Sequence, residues 1–259
     1  MCYSVESSLK TSFFSLVAIV ILLSSQIPHF QWVGVTLIGW CGMQFAELLL
    51  WLTNPKTKGG CTYWNELITL TLIPFILILQ PLGSLWGSLY IIPWKDSSQI
   101  RKTFMVLYSA LMILLVGFEH LYKPQKTCTT VTENGHLHWN TKDHGPNSYF
   151  TTYLYYVWAV CIALPLLLFW NGGIALPIVL LIMPTFGFIT GLKTDSRASV
   201  WCYYTSHVSV FSILALAAHK YKLYDFLPKN GQSTVTTFAK FRGKSGLCPL
   251  SIATFKAIS

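Results

Sequence analysis

Long apolar runs separated by short polar breaks dominate the chain, over about 12–28, 32–53, 66–92, 103–122, 149–170, 173–192 and 199–219. Each approaches the roughly 20 residues that an α-helix needs to cross a bilayer core. Runs such as Leu16–Leu23 are continuous, whereas the strands of a membrane barrel alternate apolar and polar residues. Pro74, Pro81 and Pro93 punctuate the third stretch and predict that its helix kinks or ends early. Asn171-Gly172-Gly173 predicts a tight turn between the fifth and sixth stretches. The predicted fold is an all-α membrane protein, with a seven-transmembrane helix bundle over 1–221 and a basic tail over 222–259.

Composition supports the pattern. Of 259 residues, 53% are hydrophobic and 10% charged, against roughly 25% charged in a soluble domain. The first stretch reads as an uncleaved span, because Glu6 and Lys10 leave no clear positive n-region and no small-residue cleavage site follows. The tail carries Lys222, Lys229, Lys240, Arg242, Lys244 and Lys256 against Asp225, which places it in the cytoplasm and, with seven spans, the N-terminus outside. The loops are divided, with Lys95, Arg101 and Lys102 inside but Lys56, Lys58, Lys123, Lys126 and Lys142 outside; the tail decides the orientation. Cations interleaved with aromatics over Phe238–Lys244 fit anionic lipid, or serve as a topology signal alone; nucleic acid is not expected as a partner. Cys248 is open to acylation but lies too far from the C-terminus for a prenylation box.

The loop after the fourth stretch has a hairpin signature. Thr and Val lead to Asn134-Gly135 and then His136-Leu137-His138-Trp139, which predicts a short external β-ribbon closed by a two-residue type I′ turn. Cys61 and Cys128 both fall in external loops, where an oxidising face permits a bridge; two unpaired thiols are the alternative. Cys41, Cys161 and Cys202 lie within spans and read as small apolar fillers. His136, His138, Asp143 and His144 are of metal-ligating type, but no CxxC or HExxH spacing supports a site, and neither metal nor cofactor is expected.

Ionisable groups within spans are expensive and therefore mark candidate sites. Glu47 lies about 9 Å inside the outer end of the second span, with Gln44 one turn away on the same face. Gln80 precedes Pro81 in the third span, Glu119 and His120 close the fourth, and His207 lies about 12 Å inside the seventh between Ser206 and Ser209. In the N-out topology Glu47, Glu119, His120 and His207 fall in the outer half, around one polar cavity beneath the hairpin. A Glu facing a His suits a proton relay or a cation site; buried groups that only bridge helices are the alternative. The expected function is binding or conducting a small solute, ion or proton. An intramembrane lipid-modifying enzyme and a ligand-free structural or envelope component are the alternatives. No Gly-x-Ser-x-Gly elbow, HExxH or phosphate loop occurs, and Ser206 does not face its neighbour His207 on a helix, so the enzyme reading is weaker.

Met1-Cys2-Tyr3-Ser4, with Glu6 and Ser8, Met43-Gln44-Phe45-Ala46-Glu47 to Trp51, and Leu79-Gln80-Pro81, resembles a family of uncharacterised multispan proteins. That family begins Met-Cys-Trp/Tyr-Ser and is associated with large DNA viruses of protists and some microbial genomes. The resemblance covers about 20 positions in the first third of the chain. It implies the same seven-span layout, a host cell membrane if the chain is viral, and Gln44, Glu47 and Gln80 as signature residues; it implies no reaction.

The orientation is testable in intact cells carrying a C-terminal tag. External protease is expected to leave the tag intact, and cleavage of the tag from outside overturns the topology.

Overall fold

The computed structural model describes residues 4–55, 61–121, 128–131, 135–139, 148–170, 180–182, 197–221 and 223. They form helices α1 (Val5–Leu23), α2 (Pro28–Leu52), α3 (Tyr63–Leu67), α4 (Ile73–Gly87), α5 (Gln99–Leu121), α6 (Ser148–Phe169) and α7 (Arg197–Lys220), and a two-stranded ribbon of β1 (Thr130–Val131) and β2 (Leu137–His138). Four segments, Val5–Leu23, Pro28–Leu52, Tyr63–Tyr90 and Gln99–Gly117, are long and apolar enough to cross a membrane. Apart from 180–182, the stretch 173–192 lies outside the described residues, as does the tail beyond Tyr221 except for Leu223.

The helix α1 begins at Val5, well before its apolar run. Ser4 caps it by accepting from the Ser7 amide at 3.2 Å, and the charges that disguise its first turns pair off, Lys10 with Glu6 at 2.5 Å. The helix is inside out by the standards of a soluble protein. Ser8, Ser15, Ala18 and Leu22 form its buried stripe, while Phe13 and Phe14 are 60% and 63% exposed. Large apolar groups outward and small or polar groups inward is the arrangement favoured where the surroundings are hydrocarbon. Buried residues make up 22% of the most apolar window of α1 but 72% of that of α2. The helix α2 is central because α1, α4 and α7 all pack on it.

Close approach of α2 and α4 requires glycine. A Cβ on Gly39 would stand 2.5 Å from the Leu79 carbonyl oxygen, and one on Gly87 would stand 2.4 Å from the Trp32 ring. These small residues let the backbones meet, as in other membrane helix pairs.

Pro74 and Pro81 do not stop the third segment. Proline removes the amide that would bond the carbonyl four residues back. Just before Pro74 the chain adopts a π-helical turn over Ile68–Leu72, with the Ile73 amide donating five residues back to Ile68. Pro81 lies inside α4 and frees the Leu77 carbonyl, which accepts instead from the Trp158 indole of α6 at 2.9 Å. The same device recurs in α6, where Pro165 frees the Cys161 carbonyl and the Tyr108 phenol of α5 donates to it. The segment finally tightens into a 3₁₀ turn at Ser88–Tyr90, before Pro93. The Trp32 indole donates to the Ser84 carbonyl there, at 2.6 Å.

The ribbon differs from its predicted closure. Thr130 pairs with His138 and Val131 with Leu137, a register that leaves an odd number of residues between paired positions. A two-residue turn at Asn134-Gly135 needs an even number, so the register is shifted by one. Gly135, at φ 76°, supplies the left-handed residue that longer hairpin loops use.

A double-mutant cycle tests the proline device. Trp158→Phe strands the Leu77 carbonyl and is expected to destabilise by about 1–3 kcal/mol. In a Pro81→Ala background, where the helix can satisfy Leu77 itself, the same change is expected to have a much smaller effect. Equal losses of stability in the two backgrounds, measured by thermal unfolding in detergent, would refute the coupling.

Candidate functional site

The buried stripe of α1 meets α2 and α7, and this seam contains the buried hydroxyls of Ser8, Ser15 and Ser209. Its register comes from four contacts. Thr11 donates to Gln44 Oε1 at 3.1 Å, and Leu22 lies against Gly34, so α1 and α2 run antiparallel. The ring of His219 lies 5.9 Å from that of Phe30, and Ser209 Oγ lies 3.3 Å from Cys41 Sγ, so α7 is also antiparallel to α2.

At mid-seam the Ser209 hydroxyl donates to Ser15 Oγ at 3.3 Å. Its one proton is thereby committed, leaving the Cys41 thiol to donate to Ser209. Cys41, read from sequence as an apolar filler, is one member of a polar chain across three helices. One turn towards the ribbon stands the Thr11–Gln44 bond, with Thr205 and Ser206 of α7 buried near the same level. A further turn along, Glu47 is fully buried. The antiparallel register sets it level with Ser8, which is also fully buried. The hydroxyls of Ser8 and Ser12 have no hydrogen-bond partner.

His207 is half-buried, at the level of Met43, with its ring 6.5 Å from Tyr204. Gln80 is fully buried, and neither its amide oxygen nor its nitrogen has a hydrogen-bond partner. It lies at the Gly39 crossing, eight residues and so about 12 Å along α2 from Glu47. Glu119 and His120 belong to the last turn of α5, which packs on α4 and α6; their side chains lie outside the described residues. Gln44 therefore faces the α1 seam, Glu47 is buried one turn further along α2, and Gln80 belongs to the contact of α2 with α4.

The ribbon packs on α7 and is tied to the start of the third segment, just beyond the end of α2 nearest Glu47. Cys61 and Cys128 form a disulfide with Cα atoms 5.4 Å apart. Beside it the Asn65 amide brackets one residue, donating to the Thr129 carbonyl at 3.0 Å and accepting from the Thr129 amide at 2.8 Å. Thr69 adds a hydroxyl contact of 2.8 Å to Thr129. Leu137 and Trp139 then enter the same core as Trp40, Met43 and Trp51. Sequence reasoning missed Asn65 and Thr69, although a pair of polar residues four apart at the start of a span is a readable signal.

Chemically, the seam offers hydroxyl, amide and carboxyl oxygens, suited to a proton, water or a hard cation. Ser209 is bonded to Ser15 and Cys41, neither of which is a general base. No group of three or more metal-ligating side chains occurs among the described residues. Comparison with family models, curated proteins and solved structures found no match to the chain, so function is argued from these contacts.

In the ribbon, burial holds His136 below the ordinary histidine range. The unfolded chain takes up this proton more readily than the folded one. Ribbon stability is therefore expected to be complete above about pH 6.5 and to decline as pH falls from there through the folded pKa. Hydrogen exchange at the Val131–Leu137 pair, corrected for intrinsic rates, checks this in wild type and His136→Phe. Undiminished protection in acid would contradict it.

Proposed function

We propose that the chain is an integral membrane protein of seven spans, with its N-terminus external and its tail cytoplasmic, that binds or passes a proton or small cation at Glu47. The observation that carries this reading is the position of Glu47. It is a fully buried carboxyl in a helix long and apolar enough to span, level with the buried hydroxyl of Ser8 and one turn from the Thr11–Gln44 bond. A carboxyl at that depth is retained against a substantial desolvation cost, which favours a functional role. The seam below it, through Ser12, Ser15, Ser209 and Cys41, continues the polar lining. The ribbon is tethered at the outer end by Cys61–Cys128, so access from outside passes beneath or beside it.

Glu47→Gln separates this role from a purely structural one, because Gln keeps hydrogen-bonding capacity but does not ionise. In proteoliposomes with a potassium–valinomycin clamped potential, wild type is expected to carry protons or sodium faster than empty liposomes. Glu47→Gln is expected to fall to background with its thermal unfolding little changed. Equal rates in wild type and variant, or wild-type rates at background for both ions, would overturn the proposal.

A further inference from the structure

The end of the bundle opposite Glu47 carries a second feature. At the start of α5 a surface groove of about 370 Å³ is lined by Trp94, Gln99, Lys102, Thr103, Val106 and Leu107. Its polarity is graded along the helix. Gln99, Lys102 and Thr103 occupy the first turn, and Val106 and Leu107, 53% and 64% exposed, continue it. The tryptophan wall is braced, since Trp94 stacks on Trp86 at 5.9 Å and the Trp86 indole donates to Ser109 Oγ of α5 at 3.1 Å. The Lys102 ammonium stands 5.7 Å from the centre of the Trp94 ring.

The charge here is net positive, with Lys95, Arg101 and Lys102 against Asp96. Next to Lys102, Arg101 is buried, with Nη2 donating to the Ser88 carbonyl at 3.0 Å and to its hydroxyl at 2.8 Å. Its guanidinium lies 4.8 Å from the Phe169 ring centre, while Nε and Nη1 have no hydrogen-bond partner. Among the described residues neither Arg101 nor Lys102 forms an ion pair. Two cations that form no ion pair, at the positive end of a 23-residue helix and opposed only by Asp96 of the preceding turn, concentrate positive potential where the groove begins.

We infer that this groove holds one anionic phospholipid, with its phosphate at Lys102 and an acyl chain along Val106 and Leu107. Lys102 supplies the attraction, and the buried Arg101 adds field without touching the lipid. In the proposed orientation this end faces the cytoplasmic leaflet, where anionic lipids concentrate. The inference rests on the membrane reading but not on transport through Glu47.

The test uses the full chain purified from nanodiscs of equal phosphatidylglycerol and phosphatidylcholine, with retained lipid counted by native mass spectrometry. Wild type is expected to enrich phosphatidylglycerol about fivefold, the weight of one basic side chain near an anionic surface. Lys102→Glu and Lys102→Gln are expected to abolish the enrichment, while Lys95→Glu, at the same end but outside the groove, leaves it. No enrichment in wild type, unchanged enrichment in the Lys102 variants, or equal loss in Lys95→Glu overturns the site. Glycerol phosphate in solution is expected not to displace the lipid, and displacement would point to a free-phosphate site instead. Carbonate extraction of wild type runs beside these measurements: release from membranes defeats the membrane reading itself, whereas retention without enrichment defeats only this inference.

Discussion

A carbonyl released by proline inside a buried helix contact has no water to accept from, so another part of the protein must supply a donor. The Leu77 and Cys161 carbonyls are in this position, and each meets a ring donor from the next helix, Trp158 and Tyr108 respectively. The contacts α4 to α6 and α6 to α5 are thereby tied to two backbone defects. The net worth of such a bond is about 1 kcal/mol, but leaving the buried acceptor empty costs more. Specificity follows from that asymmetry: an alternative packing of these helices would strand both carbonyls. The central helix is held by other means, with glycines at Gly39 and Gly87 permitting backbone approach to α4 and hydroxyls lining its contact with α1 and α7.

Helix positions were legible because a long, unbroken apolar run suits a membrane-crossing helix and little else. Helix ends were less so. The first two turns of α1 carry Glu6, Ser8, Lys10, Thr11 and Ser12, a polarity that resembles a loop until Ser8 and Ser15 are seen to share the buried stripe with Ala18. The third segment illustrates a different limit. Pro81 signals a broken bond within its own helix, but its remedy is Trp158, 77 positions away, and local periodicity carries no information about adjacency. The hairpin was recognisable from its turn and strand residues, whereas its register depended on a shift of one residue that composition does not encode.

The candidate site shows the same division. Glu47 and Gln44 stood out because charge and amide groups are rare in apolar runs, and their spacing assigned them to one face. Gln80 stood out equally but belongs to another contact, because the crossing at Gly39 fixes where α4 lies along α2. Cys41 looked inert for the opposite reason. Thiols are common apolar fillers, and only the meeting of Ser15 and Ser209 gives this one a polar role. Arg101 was read as a loop charge that helps set topology, yet it is buried against Ser88 and Phe169.

The disulfide has a consequence for biosynthesis. Cys61 and Cys128 are 67 residues apart, and the chain between them contains both the Tyr63–Tyr90 and Gln99–Gly117 segments. In the topology proposed above those segments cross the membrane in opposite directions, and the second sulfur reaches the oxidising side only after both have been inserted. Closure of the bond is therefore a checkpoint on translocation. A chain whose α5 stalls before crossing retains two reduced thiols on opposite sides of the bilayer, a chemical mark that thiol-recognising quality control can read before the last helices emerge from the ribosome.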